Sequence, residues 1–129
     1  MAAAGRERPP IDWDSLTFSF TETDRMFVAN GSWEDGWSEG RMVDFQPLNL
    51  SPAACVLNYG QGLFEGMKAR RTPDGKITLF RPEMNARRAA EGARRLVMPE
   101  VSESMFIKAV KKVAEAVSYT HLRAHETQR

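Results

Sequence analysis

The residues with the clearest chemical content lie in a short glycine-rich stretch, residues 57–69. It holds three glycines, two aromatic residues and a Glu/Lys pair, an irregular mixture that fits neither a core helix nor a simple strand. Glycine at this density is typical of backbone that turns sharply or approaches a ligand closely. The stretch therefore predicts a loop whose candidates for binding chemistry are Tyr59, Phe64 and Lys68.

Each of these side chains also has an ordinary explanation. Aromatic residues such as Tyr59 and Phe64 are most often simply buried in a core. Two charges three residues apart on an extended segment, as in Glu65 and Lys68, are usually both solvated. Arg88 lies further along on a predicted helix, where an arginine is by default a solvated charge. Residue types alone therefore leave a structural and a functional interpretation open.

The composition limits the class of protein. At 129 residues and 42% hydrophobic content the chain fits one domain with a modest core. A net charge of +1 argues against whole-chain attraction to nucleic acid or membrane, although five arginines lie between positions 81 and 95. One cysteine, Cys55, excludes an internal disulfide and suits a reducing compartment. The first ten residues lack a secretory apolar region and are short for a transit peptide, so we expect a cytoplasmic location and leave organellar import open.

The order of predicted elements indicates an α+β domain. Strand patterns at residues 26–29 and 42–45 flank a polar connection, and Asn30-Gly31 predicts a hairpin-type turn after the first strand. A second hairpin is predicted over residues 67–80, because Pro73-Asp74-Gly75 is a turn signal between two extended runs. Strands followed by helices are typical of this fold class.

Two helices follow the second hairpin. The first is predicted over residues 82–97, with Pro82 in its first turn and Pro99 beyond its end. Its predicted apolar face consists of Ala86, Ala89, Ala90, Ala93 and Val97. The second helix is predicted to begin near Ser102, a suitable N-cap.

The two ends of the chain are expected to lie outside the domain. Residues 1–10 predict a flexible tail. Residues 117–126 match, codon for codon, one reading frame of a transposon-end adapter used to prepare sequencing libraries, and the adapter also begins the codon of Thr127. We therefore expect residues 117–129 to be adapter-derived. His121 and His125 are therefore not interpreted as a metal site. Without a histidine to activate it, Cys55 is expected to be a buried apolar residue.

Taken with the glycine-rich stretch, a second motif carries a family resemblance, Leu79-Phe80-Arg81-Pro82-Glu83-Met84-Asn85-Ala86-Arg87-Arg88. Together they resemble the start of branched-chain amino-acid aminotransferases, pyridoxal-phosphate enzymes of fold type IV, over about residues 11–116. The resemblance implies a truncated small N-terminal domain, with antiparallel strands followed by two helices. In the family the Schiff-base lysine lies further downstream, so no catalytic residue is expected in this chain and the chain alone should be inactive.

The resemblance also implies roles for individual residues. Tyr59 and Phe64 match positions that line the substrate side-chain pocket, and Lys68 is a candidate for attracting the substrate carboxylate. Arg88 matches the position that binds the 5′-phosphate of pyridoxal 5′-phosphate. This role suits arginine, because its planar and permanently charged fork can hold two phosphate oxygens at once.

The implied activity is transamination of leucine, isoleucine or valine with 2-oxoglutarate, in a homodimeric enzyme of amino-acid biosynthesis. The alternatives within the fold are a D-amino-acid transaminase and an aminodeoxychorismate lyase, which tend to carry Gly-Asp-Gly where this chain has Gly60-Gln61-Gly62. A nucleic-acid-binding module built on the arginine-rich helix is a third alternative. Glu83 and Glu91 interrupt that helix, and the net charge is near neutral, so we expect neither nucleic acid nor membrane as a partner.

Overall fold

The computed structural model of the chain describes residue 17, the backbone of residues 22–126 and the side chains of residues 22–117. The predicted tail at residues 1–10 lies outside the described residues. The described elements, in chain order, are β1 (Arg25–Val28), β2 (Gly31–Ser32), β3 (Gly36–Trp37), β4 (Arg41–Asp44), α1 (Cys55–Tyr59), β5 (Ala69–Arg71), β6 (Ile77–Leu79), α2 (Pro82–Arg95) and α3 (Glu103–Glu126). The chain is thus a small mixed fold of short strands that ends in two helices, with the additional short helix α1 lying between β4 and β5.

The strands pair only in twos in this part of the chain. Antiparallel pairs form between β1 and β4, between β2 and β3, and between β5 and β6. In the first pair Arg25 lies opposite Asp44, and Val28 lies opposite Arg41. Helix α3 packs on both α2 and β1, which joins the strand region to the helices.

The turn predicted at Asn30-Gly31 is wrong. Gly31 belongs to β2 and pairs with Trp37, so the turn comes three residues later, between β2 and β3. The glycine is needed for space, because a Cβ at position 31 would lie 2.7 Å from the ring of Trp37. The indole Nε1 of Trp37 donates to the carbonyl of Glu100 at 3.0 Å and ties this hairpin to the segment between α2 and α3.

The second predicted hairpin is confirmed. Strands β5 and β6 pair from Ala69 opposite Leu79 to Arg71 opposite Ile77. Gly75 has a φ of 84°, the left-handed conformation that its turn signal requires. The Thr72 hydroxyl accepts the backbone N–H of Lys76 at 3.0 Å and closes the turn.

Helix α2 forms as predicted but ends two residues early. Ala86 and Ala93 are 2% and 3% exposed and are the two buried hydrophobic residues of the described chain. Val97, predicted to continue their face, has a φ of 53° and is 72% exposed. The N–H of Met98 donates to the carbonyl of Ala93 at 2.9 Å, and that of Val97 donates to Arg94 at 3.3 Å. These two bonds define a Schellman motif whose left-handed position is usually glycine.

Helix α3 begins where the sequence predicts. The backbone N–H of Met105 donates to the hydroxyl of Ser102 at 3.2 Å, so Ser102 is the N-cap. The helical backbone continues to Glu126. Continuation past Val117 is expected, because residues 118–126 contain no proline or glycine, and the adapter origin of residues 117–129 stays a prediction.

Much apolar surface is open to solvent. Cys55 is exposed, and the expectation of a buried cysteine is wrong because α1 contains no buried residue. Large exposed apolar side chains also occur at Leu57, Tyr59, Phe64 and Phe80. None of the helices in the described residues is both long and apolar enough to cross a membrane.

Candidate functional site

The middle of the glycine-rich stretch runs along α2, and we call this segment the strap (residues 61–66). The first three residues of the stretch, 57–59, are predicted to be loop but form the end of α1. Gly60, with a φ of 64°, ends α1 and turns the chain into the strap. At its start the side-chain amide of Gln61 donates to the carbonyl of Leu96 at 2.6 Å. At its end Glu65 bonds to residues nearer the start of α2. The strap therefore runs along α2 in the opposite direction to the helix.

The middle of the strap is held by a close apolar approach. A Cβ on Gly92 would lie 2.6 Å from Cδ2 of Leu63, so the leucine occupies space that only glycine leaves free. Gln61, Leu63 and Glu65 thus contact α2 at successive points along it. Since alternate residues of an extended segment point to opposite sides, Phe64 faces away from the helix.

The two predicted aromatic residues are exposed. Phe64 is 92% exposed and Tyr59 is 85% exposed, so neither is buried in a core of the described chain. Both side chains are therefore accessible to a ligand or to another protein surface. Exposed aromatic area of this kind usually marks a contact surface.

Glu65 forms the strongest polar contact of the strap. Its carboxylate accepts two bonds from the Arg88 guanidinium, from Nε at 2.5 Å and from Nη2 at 2.6 Å. The side-chain amide of Asn85 donates to the same carboxylate at 2.8 Å and to the carbonyl of Gly66 at 3.1 Å. The Glu65 side chain is only 13% exposed, whereas that of Arg88 is 66% exposed. The default interpretation of Glu65 as a solvated charge is therefore wrong.

These contacts favour the charged forms of both partners. The hydrogen bond from Arg88 lowers the pKa of the Glu65 carboxyl, a shift that burial opposes and Asn85 reinforces. The same contact raises the pKa of the Arg88 guanidinium. Glu65 is thus a fixed negative charge at neutral pH, and one edge of Arg88 is fixed against it.

Sequence reasoning missed this role because Glu65 and Arg88 are 23 residues apart. The available signal was the spacing of Asn85 and Arg88, three residues apart on a helix. Residues at that spacing share a face. Two hydrogen-bond donors on one face predict a common acceptor on whatever packs there.

Lys68 lies in a different part of the site. It lines an open cavity of about 600 Å³ beside the β5–β6 hairpin, together with Gly66, Arg70, Phe80 and Asn85. No ion pair joins Lys68 or Arg70 to another described residue, so the cavity carries net positive charge. Asn85 borders both this cavity and the Glu65–Arg88 pair. The structure does not bring Tyr59, Phe64 or Arg88 into the cavity lining.

The other helix arginines separate into two kinds. Arg94 makes a second bidentate pair, with Glu100, at 2.9 and 2.7 Å. Arg87 pairs with Glu103 at 3.3 Å. Arg95 is exposed and pairs with no described acidic residue. Among the described residues no group of three metal-ligating side chains comes together.

Comparison with known proteins gives a consistent class, although no family model matches the chain. The similar curated proteins are aminotransferases. Methionine aminotransferase BCAT4 of Arabidopsis thaliana is 48% identical over 106 residues, which is 82% of this chain and 30% of that protein. Branched-chain amino acid aminotransferase 2, chloroplastic, of Humulus lupulus is 50% identical over 81% of this chain and 26% of that protein.

A bacterial relative extends the same pattern. The branched-chain-amino-acid aminotransferase of Haemophilus influenzae is 44% identical over 82% of this chain and 31% of that protein. The resemblance in the sequence is therefore confirmed: the chain is homologous to branched-chain amino-acid aminotransferases over about four-fifths of its length. The chain spans between a quarter and a third of the length of these relatives.

Proposed function

We propose that the complete protein containing this chain is a pyridoxal-phosphate-dependent branched-chain amino-acid aminotransferase of fold type IV. It transfers the amino group of leucine, isoleucine or valine to 2-oxoglutarate and works as a homodimer. The observation that carries the proposal is the identity of 44–50% to aminotransferases over about four-fifths of the chain. Residues 11–116 would supply part of the small N-terminal domain, and residues 117–129 would have no native role.

In this proposal the exposed aromatics form part of the substrate pocket. A branched aliphatic side chain needs a small apolar pocket with rigid walls. Phe64 suits such a wall, because the strap that carries it is held to α2 on its opposite side. Tyr59 is the last residue of α1, directly before the turn at Gly60. Lys68, in its positively charged cavity, would attract the substrate carboxylate.

The residues present also fit the cofactor's phosphate group. An arginine has five N–H donors, and Glu65 accepts from two of Arg88's nitrogens along one edge. The edge formed by Nη1 and the second hydrogen of Nη2 is left for an anion, and the side chain is two-thirds exposed. Arg88 would hold the phosphate there by two parallel charge-assisted bonds. When bound, pyridoxal phosphate supplies the electron sink for removal of the Cα proton.

This chain would orient the substrate and cofactor but would not move protons itself. We propose that the lysine carrying the cofactor lies outside the chain, so that the chain alone is inactive. The compartment stays a prediction.

The test is a transamination assay on the complete protein, expressed from a coding sequence read without the adapter. We expect glutamate formation from 2-oxoglutarate with leucine, isoleucine and valine, and the absorption band of a protein-bound pyridoxal group. Methionine belongs in the panel, because a relative is named a methionine aminotransferase. Turnover of D-alanine without turnover of leucine would replace the proposal by the D-amino-acid alternative. Absence of both activity and the absorption band would overturn it.

A further inference from the structure

We infer that Glu65 is a positioning residue that holds the Arg88 guanidinium with its Nη1–Nη2 edge presented to the cofactor phosphate. The inference rests on the proposed phosphate-binding role of Arg88. It adds a residue that does not itself contact the cofactor and that acts by fixing the one that does.

The geometry of the pair supports this role. Glu65 accepts from Nε and Nη2, the two nitrogens on one edge of the guanidinium, at 2.5 and 2.6 Å. A planar group held by one edge has only one orientation for its other edges. Arg88 is largely exposed and would otherwise sample many rotamers along its flexible stem.

The carboxylate is itself fixed. Asn85, one helical turn before Arg88, donates to Oε2 of Glu65 at 2.8 Å and also to the backbone of Gly66 at 3.1 Å. The strap behind Glu65 is attached to α2 through Leu63 beside Gly92 and through Gln61 at the Leu96 carbonyl. Because Glu65 is held to α2 through these contacts, it also holds the Arg88 guanidinium in a fixed position relative to α2.

If only its negative charge mattered, Glu65 would weaken the binding of the cofactor phosphate. A carboxylate beside an arginine cancels part of the positive potential that attracts a phosphate, so removing it should tighten cofactor binding. If Glu65 acts by positioning, its removal should weaken binding, because the arginine must then be ordered at the moment the phosphate binds. The two explanations predict opposite signs for one substitution.

The experiment measures the dissociation constant of pyridoxal phosphate for the complete protein by titrating the apoprotein and following absorbance. We expect Glu65→Gln to weaken binding about tenfold, the lower end of the loss that follows removal of a group that orients a ligand-binding side chain. Glu65→Asp keeps the charge but is too short to span the fork, and it should weaken binding to a similar extent. Glu91→Gln, the same charge change at an exposed position of α2, should alter binding by less than about twofold.

Two further measurements keep the outcomes distinct. In an Arg88→Ala background, Glu65→Gln should have no additional effect, because its partner is gone. Pyridoxal, which lacks the phosphate, should bind Glu65→Gln and the unsubstituted protein alike. Circular dichroism of each apoprotein establishes that it is folded, and Glu65→Asp serves if Glu65→Gln is not.

Each result decides the inference. If Arg88→Ala leaves cofactor affinity unchanged, the proposed phosphate role fails and takes this inference with it. If Arg88→Ala weakens binding while Glu65→Gln tightens it or leaves it unchanged, the phosphate role stands and the positioning role of Glu65 is overturned.

Discussion

Replacing Arg88 with alanine removes two interactions at once. It deletes the proposed phosphate contact, and it leaves the Glu65 carboxylate, which is 13% exposed, with Asn85 as its remaining side-chain donor. The first loss should appear in cofactor affinity and the second in folding stability. Because both follow from one substitution, the controls must separate them.

The expected loss of affinity follows from the number of bonds available. With the Nε–Nη2 edge taken by Glu65, Arg88 can offer an anion two parallel bonds from its remaining edge. Losing a charge-assisted contact of this kind to a phosphate typically weakens binding by about thirty- to a thousandfold. A solvated surface arginine should change affinity by about twofold or less.

The chain provides a matched control for each loss. Arg94 makes a bidentate pair with Glu100 at 2.9 and 2.7 Å and is as exposed as Arg88, so Arg94→Ala removes an ion pair of the same geometry, with a more exposed carboxylate, away from the proposed site. Arg95→Ala removes a helix arginine that pairs with no described acidic residue. The three variants of the complete protein are compared in cofactor titrations and in thermal unfolding of the apoprotein.

We expect Arg88→Ala alone to lose cofactor affinity, while Arg88→Ala and Arg94→Ala both lower the melting temperature of the apoprotein. Equal cofactor affinity in all three variants would refute the reasoning and leave Arg88 as a structural partner of Glu65. A loss of affinity in Arg94→Ala as large as that in Arg88→Ala would mean that damage to the helix, and not the phosphate contact, is being measured.

Four further outcomes are expected. Val97→Gly should stabilise the protein by about 1 kcal/mol, because a β-branched residue is strained at a φ of 53° and its exposed side chain contributes little burial; a lower melting temperature would contradict this. The folded-state pKa of Glu65 is lowered from 4.5, so the charged carboxylate stabilises the fold above pH 4.5, and this stabilisation is lost as pH falls through the lowered pKa. In urea unfolding measured at several pH values, the free energy of unfolding should therefore decline less steeply towards acid pH for Glu65→Gln than for Glu91→Gln. The isolated chain should aggregate or melt broadly, because it exposes much apolar surface; a sharp melt independent of concentration would count against this. Genomic DNA should not encode residues 118–127 after residue 117, and recovery of those codons would make the tail native.

Local signals were sufficient where the cause of a structure is local. The β5–β6 hairpin was predictable because Pro73, Asp74 and Gly75 specify their own turn, and Ser102 was predictable because an N-cap acts within one turn. The turn was predicted wrongly at Gly31 because glycine is required there by the ring of Trp37, six residues later, which leaves no room for a Cβ. The neighbouring residues do not distinguish a glycine in a turn from a glycine packed beneath a tryptophan.

In the candidate site, too, the locally determined feature was predictable and the long-range contact was not. Arg88 could be proposed from the motif around it, but the acceptor that orients it comes from the strap, 23 residues earlier. The early end of α2 was equally hidden, because valine is a poor residue for the left-handed position that Val97 occupies. Pairings between distant segments depend on packing, and a single sequence carries no direct sign of them.

The strap gives the chain an unusual sensitivity to length. Its inward side is fixed by three unlike attachments, an amide on a carbonyl at Gln61, a leucine against a glycine at Leu63, and a carboxylate in a guanidinium fork at Glu65. Inserting one residue between Leu63 and Phe64 would exchange the inward and outward sides beyond that point, placing Phe64 against Arg88 and the carboxylate in solvent. No attachment can accept another's side chain, so the segment has a single permitted register. Variation in this part of the protein can therefore change an outward side chain without disturbing the attachments, but it cannot change the number of residues between them.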